Sequence, residues 1–362
     1  MKRYPAYDPP EYVSWTPDPA LVVAFGETAG RDPERRTVVE SLNEKRLLEL
    51  YAGLLRTRLH DVTLKRWVRT GVISKAWLGT GEEAATVGPV HALDKKRDVI
   101  APMIRNAGAC AEMGMPVADS FRSYLATADS PSHGRDLHHG AMRYNVLQAI
   151  SHVGDMVPVI AGIALAAKLR GERRVSLTWV GDGSTKAGVS HEGFNFAAVQ
   201  KVPAIFIVQN NQVALGTRLS QHHLPADFAD LPATYGMWGA VFDGNNVLDA
   251  YAATHLAVER CRRGEGPVML IAETFRMGGH ATHDEREARD TFPAEWFAEW
   301  GRKDPIGLYE EHLKREGMAA AQLEEVEARV EAEILKAEAE ALVSREKGAP
   351  APESALGGVY AD

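Results

Sequence analysis

Hydrophobic residues between positions 41 and 71 recur at the spacing of a helix. The apolar side chains of this segment are Leu47, Leu48, Leu50, Tyr51, Leu54, Leu55 and Leu59. Ser41 is a possible N-terminal cap and Gly71 a possible stop. The pattern predicts one long helix that packs on a hydrophobic core.

The centre of the chain alternates short apolar runs with helical stretches. The runs typical of buried strands are 175–180, 204–208, 239–242 and 267–272, and the helical stretches are 193–201 and 247–263. This alternation predicts an α/β fold in which a parallel sheet, built from right-handed βαβ units, carries helices on both faces. Ligands of such sheets bind beyond the carboxyl ends of the strands, so we expect chemistry in the loops that begin near 181, 209 and 274.

Both ends of the chain lie outside this alternation. Residues 1–40 are rich in Pro, Asp and Tyr, which predicts an N-terminal arm over another surface, with a solvated tail as the alternative. The segment 322–347 is dominated by Glu, Ala, Lys and Leu at helical spacing and predicts a surface helix that stops at Gly348. We therefore expect an arm (1–40), an α/β domain (41–315), and a C-terminal helix and tail packed on that domain (316–362).

Composition and charge narrow the class of protein. The 362 residues are 45% hydrophobic and 25% charged, as in globular proteins. The net charge of -8 comes from residues spread along the chain, which argues against nucleic acid as a partner. No apolar run approaches the roughly 20 residues that span a bilayer, and the start of the chain lacks a signal-peptide core. With only Cys110 and Cys261 as thiols, these features predict a cytoplasmic protein that binds neither membrane nor nucleic acid.

Two polar clusters follow neighbouring predicted strands. Gly181-Asp182-Gly183-Ser184 comes directly after the strand 175–180, and Asn210-Asn211 comes after the next strand. Each cluster alone is compatible with an ordinary turn. Adjacent parallel strands, however, bring the carboxylate and the carboxamide to one sheet edge, where their oxygens suit Mg²⁺ and leave its other positions to phosphate and water. The pattern predicts a diphosphate held through magnesium.

The spacing of these clusters resembles the thiamine diphosphate-binding motif. The stretch from Ala187 to Thr217 is similar to the alpha subunit of the decarboxylating component of branched-chain and pyruvate dehydrogenases, and the likeness extends from about Leu48 to the C-terminus. It implies the thiamine diphosphate-binding fold, with Mg²⁺ ligated by Asp182, Asn211 and the backbone carbonyl of Val213. The cofactor-binding residues that it implies around the motif also include Gly181, Gly183 and Ser184.

Two upstream segments match the same family. The segment from Met103 to Gly108 resembles the one whose arginine, here Arg105, binds the diphosphate through its forked donors. Ser151 and Val153 stand at the matching positions of a loop that contacts the diphosphate and the pyrimidine.

The segment Phe275–Asp284 is similar to the family loop that covers the cofactor. The resemblance implies that His280 is the catalytic histidine over the thiazolium and diphosphate, with Arg276 in support. His283 is expected to be a bystander. Ala281 stands where several eukaryotic relatives have a regulatory serine, which excludes phosphorylation at this position.

The sequence also departs from the family pattern. Ile104 replaces a common aromatic residue, which leaves the substrate-side contacts open. The family's Lys-Gly-rich loop is kept only in part around His133, His138 and His139. These histidines are compatible with a mobile active-site loop, the interpretation that we favour, or with a metal site. The segment 286–290 lacks the usual Tyr-Arg ending, so its order is an open question.

The resemblance implies the alpha subunit of a 2-oxo acid dehydrogenase that decarboxylates its substrate on thiamine diphosphate. The acyl group would pass to a lipoyl-bearing acyltransferase. The carboxylate that activates thiamine comes from a beta subunit in this family, and the roughly 150 residues after Asn211 are too few for a second such domain. We therefore expect an α₂β₂ heterotetramer. Branched-chain 2-oxo acids are the expected substrates, with pyruvate and acetoin as alternatives.

Two other functions share parts of this pattern. A nicotinamide oxidoreductase also uses a glycine-rich turn between strand and helix, but Lys186 stands where its fingerprint needs a third glycine. A catalytically silent assembly subunit would keep the fold alone. Against it stands the joint presence of the four implied functional side chains, namely Arg105, Asp182, Asn211 and His280.

Overall fold

A computed structural model describes residues 15–225 and 227–357, so the first fourteen residues of the predicted arm lie outside it. The strands, numbered in chain order, are β1 (Val99–Ala101), β2 (Ser176–Gly181), β3 (Ala204–Asn210), β4 (Val213–Ala214), β5 (Thr217–Arg218), β6 (Trp238–Asp243) and β7 (Val268–Glu273). The helices are α1 (Pro19–Gly30), α2 (Pro33–Glu40), α3 (Glu44–Arg69), α4 (Glu83–His91), α5 (Ala107–Glu112), α6 (Val117–Tyr124), α7 (Met156–Leu169), α8 (Gly188–Gln200), α9 (Leu219–His222), α10 (Leu231–Thr234), α11 (Val247–Arg262), α12 (Glu285–Thr291), α13 (Ala294–Arg302), α14 (Pro305–Arg315) and α15 (Ala320–Glu346).

Five parallel strands form the central sheet in the order β1-β2-β3-β7-β6, and β4 pairs with β5 in a short antiparallel hairpin. Alternate strand residues enter different hydrophobic clusters, so that Ile205 packs with α11 on one face and Phe206 packs with α7 and α8 on the other. The predicted parallel sheet with helices on both faces is confirmed. None of the helices in the described ranges combines the length and apolar character that crossing a membrane requires.

The long helix α3 agrees with the leucine pattern except at its start. Asn43, rather than Ser41, caps the helix, because its side chain accepts a hydrogen bond from the Arg46 amide at 2.9 Å. The Ser41 hydroxyl instead donates to the Val38 carbonyl at the end of α2. The predicted stop is confirmed, since Gly71 has a φ of +74° that favours glycine. The predicted helix 193–201, in contrast, begins earlier than expected, at Gly188.

Two helices in the N-terminal region were not predicted. Asp18 and Asp32 cap α1 and α2 through their side chains, and a proline occupies the first turn of each helix. These Asp-Pro pairs could have predicted the starts of both helices, but the irregular hydrophobic pattern of this region does not indicate a helix. The helices pack against α14 and α11. The division of the chain at residues 40 and 315 stays a prediction.

The C-terminal helix α15 buries one apolar stripe against α3 and α6. Most of its charged side chains are exposed, as expected for a surface helix, but Glu327 is buried, and Glu333 and Glu338 form ion pairs with arginines of α3. Together with α3 it encloses the largest hydrophobic cluster, which includes the fully buried Leu54.

Replacing Leu54 with alanine is expected to lower the free energy of unfolding by about 2–5 kcal/mol, because the side chain is buried and leaves a cavity. The matched control is Leu335→Ala on α15, where the leucine is 52% exposed and the change should stay within about 0.5 kcal/mol. Urea denaturation followed by circular dichroism measures both values. Equal destabilisation by the two variants would contradict the assignment of the core.

Candidate active site

Strands β2 and β3 carry Asp182 and Asn211 to the same edge of the sheet, where Gly181 is paired with Gln209. Asp182 Oδ1 accepts a hydrogen bond from the Gly183 amide at 2.8 Å. Asp182 Oδ2 and Asn211 Oδ1 are buried and have no hydrogen-bond partner. A buried oxygen without a partner is costly, so this pair fits a ligand that binds both.

The hairpin β4–β5 brings Val213 to this edge. Gly183 packs so tightly on the hairpin that a Cβ atom at this position would lie 2.3 Å from the Ala214 Cβ atom. The glycine of the motif is therefore required for contact between the loop and the hairpin. Val213 is buried next to Ala214 in the sequence, on the strand that lines the site.

Glu82 is a site residue that the sequence analysis missed. Its Oε1 atom accepts a hydrogen bond from Asn211 Nδ2 at 3.0 Å, and its Oε2 atom lies 3.5 Å from Arg105 Nε. Burial raises the pKa of this carboxyl group, while the Arg105 guanidinium and the Asn211 hydrogen bond oppose the rise. Since Glu82 engages the nitrogen of the Asn211 amide, the amide oxygen is directed away from it. Two adjacent glutamates, Glu82 and Glu83, before the apolar run 84–93 were the available signal.

Arg105 and Arg276 form a pair of buried guanidinium groups. Arg105 Nη2 lies beside Gly181, 3.3 Å from where a Cβ atom would stand. Arg276 Nη2 donates to the Leu215 carbonyl at 2.8 Å, whereas Arg105 Nε and Nη2 and Arg276 Nη1 have no hydrogen-bond partner. Burial, followed by repulsion from Arg105, lowers the pKa of Arg276 to about 10. Two like charges with free donors make this end of the site suited to an anion.

His280 lies in the loop that follows β7 and lines the cavity. Asp284 Oδ1 accepts a hydrogen bond from the Ala281 amide at 2.8 Å, and the Thr282 amide donates to the Ala76 carbonyl at 2.9 Å, so the loop is fixed directly after His280. Burial, and then the nearby Arg105 and Arg276, lower the pKa of His280 to about 4. The imidazole is therefore neutral near pH 7 and offers one donor and one acceptor.

The loop also contains His283 and leads into the segment 286–290. His283 is exposed, and its expected role as a bystander stays a prediction. The segment 286–290, whose order was open, lies within α12.

The loop with Ser151 and Val153 forms another wall of the cavity. Ser151 Oγ lies 3.3 Å from His138 Nε2, and His138 Nδ1 lies 2.8 Å from Asp136 Oδ1. Val153 is 61% exposed, so this wall is open on one side. His138 therefore lines the same cavity, and the interpretation of this segment as an active-site loop stays a prediction.

The three histidines of this loop do not converge. His133 is exposed, whereas His139 is buried and packs near His60. Within residues 15–225 and 227–357, no group of three or more His, Cys, Asp or Glu side chains could hold a metal ion. The alternative of a histidine metal site is therefore wrong for this loop. The predicted Asp182–Asn211–Val213 set differs in kind, because an amide and a carbonyl oxygen would supply two of its three ligands, and it stays a prediction.

These elements enclose a cavity of about 490 Å³. Arg105, Asp182 and Ser184 give its lining charged and polar groups. The rest of the lining is mostly apolar and includes Trp77, Met103, Ile104, Ile150, Val153 and Leu215. The combination suits a ligand with an anionic group and a reacting part in apolar surroundings.

Comparisons with known proteins agree with this geometry. The family model of the dehydrogenase E1 component matches residues 53–350. The chain is 34% identical over 325 residues to the 2-oxoisovalerate dehydrogenase subunit alpha of Bacillus subtilis, covering 88% of this chain and 97% of that protein. It is 32% identical over 291 residues to the pyruvate dehydrogenase E1 component subunit alpha of Bacillus cereus, covering 78% and 74%. The corresponding protein of Staphylococcus aureus is 32% identical over 287 residues. The resemblance drawn from the sequence motifs is confirmed, and the chain belongs to the dehydrogenase E1 component family.

Proposed function

We propose that the chain is the alpha subunit of a thiamine diphosphate-dependent 2-oxo acid dehydrogenase that transfers an acyl group to lipoamide. The observation that carries this proposal is the pair of buried, unpartnered oxygens on Asp182 and Asn211 beside two arginines. A metal ion and a diphosphate together would supply partners for all of these groups. Membership of the dehydrogenase E1 component family supports the same cofactor.

The residues present fit a Mg²⁺–diphosphate group. Asp182, Asn211 and the carbonyl of Val213 would ligate Mg²⁺, which prefers oxygen ligands. Gly181, Gly183 and Ser184 would line the diphosphate, and Arg105 and Arg276 would neutralise it. Ser151 and Val153 would border the pyrimidine side.

Replacing Glu82 with alanine is expected to weaken Mg²⁺ affinity by about 10- to 100-fold, because the Asn211 amide loses the partner that orients it. Glu82→Gln keeps an acceptor for that amide and should lose less. Glu324→Ala, at an exposed site on α15, is the control and should change nothing. Calorimetric titration of Mg²⁺ into the assembled complex, in the presence of thiamine diphosphate, measures the Mg²⁺ affinity of each variant. Unchanged affinity in the Glu82→Ala variant would contradict the orienting role.

The protein side of the mechanism is binding, orientation and proton movement. Thiamine diphosphate, when bound, supplies the electron sink for decarboxylation. Arg105 and Arg276 hold the anionic end in place. His280, neutral near pH 7, can donate to or accept from a reacting oxygen at the mouth of the cavity. The apolar part of the lining accommodates an aliphatic side chain.

The open wall of the cavity supports the proposal that a partner subunit completes the site. Ile150, Val153 and Leu215 line the cavity yet are 41%, 61% and 56% exposed. Among the described residues that line the cavity, Asp182 supplies the one carboxylate. That carboxylate would ligate the metal, so it would not be free to activate thiamine. The carboxylate that activates thiamine would therefore come from a beta subunit.

We propose that this subunit joins the chain in an α₂β₂ heterotetramer that works with a lipoyl-bearing acyltransferase. The exposed Val159, Leu169, Phe196 and Val199 on α7 and α8 supply a further apolar surface for assembly. We also propose a cytoplasmic location, because both cysteines are buried free thiols. Light scattering of the complex co-expressed with its beta subunit gives the stoichiometry. Tight cofactor binding and turnover by the purified chain alone would contradict the need for a partner.

Branched-chain 2-oxo acids are the proposed substrates, because the lining is apolar and the first of the described relatives is named for 2-oxoisovalerate. Pyruvate is the second candidate, supported by the other relatives. The test is turnover of 3-methyl-2-oxobutanoate, pyruvate and acetoin by the co-expressed complex, with and without thiamine diphosphate and Mg²⁺. A preference for the branched substrate with cofactor dependence is expected. An assembled complex that binds cofactor but turns over none of the three would favour the silent assembly subunit.

A further inference from the structure

His222 lies beside the predicted metal ligand Asp182 and belongs to none of the motifs described above. It ends α9, four residues beyond the β5 strand of the hairpin that contains Val213. Its Nε2 atom lies 3.7 Å from Asp182 Oδ2, and its side chain is only 12% exposed. Both ring nitrogens are buried and have no hydrogen-bond partner.

The surroundings hold this ring in place. The Leu219 amide donates to the Gln212 carbonyl at 3.1 Å, which ties α9 to the start of the hairpin. The neighbouring His223 is stacked on Phe228, with ring centroids 3.9 Å apart, and its Nδ1 atom lies 2.8 Å from Lys186 Nζ. Lys186 belongs to the turn after Asp182, so α9 and the motif turn are joined directly.

The atoms that face each other indicate a missing partner. Asp182 Oδ1 is used by the Gly183 amide, so Oδ2 is the oxygen available to a metal, and it is the oxygen nearest to His222. A neutral imidazole offers one donor and one acceptor. Diphosphate oxygens accept hydrogen bonds and metal-bound waters donate them, so the two nitrogens match both kinds of partner.

We propose that His222 is a further cofactor-binding residue, which contacts the Mg²⁺–diphosphate group from the side of Asp182. The inference rests on the proposed function. A cofactor contact and a plain His222–Asp182 ion pair predict opposite effects of removing His222 on metal binding. An ion pair would compete with Mg²⁺ for the carboxylate, so its removal would tighten metal binding, whereas loss of a cofactor contact weakens it.

The test is calorimetric titration of Mg²⁺ into the metal-free, co-expressed complex in the presence of thiamine diphosphate. His222→Leu keeps apolar volume but removes both polar atoms, and should weaken Mg²⁺ binding by about 10- to 100-fold, as losses around a metal's ligands do. His222→Gln keeps a donor and an acceptor and should bind within a few-fold of wild type. Glu324→Ala, at an exposed position on α15, is the control.

Each outcome decides the matter. Affinity that is unchanged or tighter in His222→Leu, with the wild type binding normally, overturns the role of His222 alone. If His222→Leu fails to assemble, His222→Ala takes its place: weaker Mg²⁺ binding than in Glu324→Ala supports the contact, and equal binding by these two variants overturns it. If the wild-type complex shows no Mg²⁺-dependent binding of thiamine diphosphate, the proposed function fails as well.

Discussion

Replacing Asp182 with asparagine is expected to lower 2-oxo acid decarboxylation about 1000-fold at a Mg²⁺ concentration that saturates the wild type. The substitution keeps the shape of the side chain but removes the charge that would face the proposed metal. Direct ligation of a catalytic metal contributes several kcal/mol, and about 4 kcal/mol corresponds to three powers of ten in rate. Turnover measured across a Mg²⁺ series should recover in part at high metal concentration, because asparagine still offers an oxygen.

The matched control for this variant is Asp290→Asn, an exposed aspartate on α12. It removes the same charge outside the cavity and should leave turnover and Mg²⁺ dependence unchanged. If Asp182→Asn showed the Mg²⁺ dependence of the wild type, the metal site would have to be sought elsewhere in the chain.

Removal of the His280 imidazole is expected to lower turnover about 100- to 10,000-fold, the range that general acid–base groups contribute. Cofactor affinity should change only a few-fold in His280→Ala, because Asp182, Arg105 and Arg276 remain. Decarboxylation with an artificial electron acceptor and acylation of a lipoyl domain should be measured separately. A larger loss in the second assay would assign the histidine mainly to acyl transfer.

His283→Ala is the control on the same loop, since that side chain is exposed. Normal turnover by His280→Ala in an assembled, cofactor-binding complex would remove the histidine from the mechanism. Loss of cofactor binding in the same variant would instead make it a binding residue.

The sequence predicted those parts of the candidate site that depend on residues close together along the chain. Asp182 and Asn211 each follow a recognisable strand, and adjacent parallel strands place such residues at one edge. The apolar patterns were equally direct for α15, which buries one stripe, and for α3 and α11, which are buried over most of their length. The ends of elements were harder, as Ser41 and Asn43 show, because several polar residues there are capable of capping.

Glu82 and His222 could not be found by the same reasoning. Glu82 meets Asn211 across 129 positions of sequence, and no local pattern predicts such a pairing. His222 lies in a four-residue helix whose orientation depends on stacking between His223 and Phe228. The histidines of the 133–139 loop were undecided for a similar reason, since the neighbours His138 and His139 face different cavities.

The close pair of arginines, Arg105 and Arg276, also bears on how the chain is maintained in the cell. Burial and the neighbouring Arg105 lower the pKa of Arg276, so holding these two like charges in a buried site makes the folded protein less stable. An anionic ligand reverses this penalty, and binding only to the folded state adds about 2.7 kcal/mol when the free ligand stands at 100 times its Kd. The supply of vitamin-derived cofactor should thus govern the lifetime of the protein as well as its activity, and starvation for thiamine would expose the chain to proteolysis.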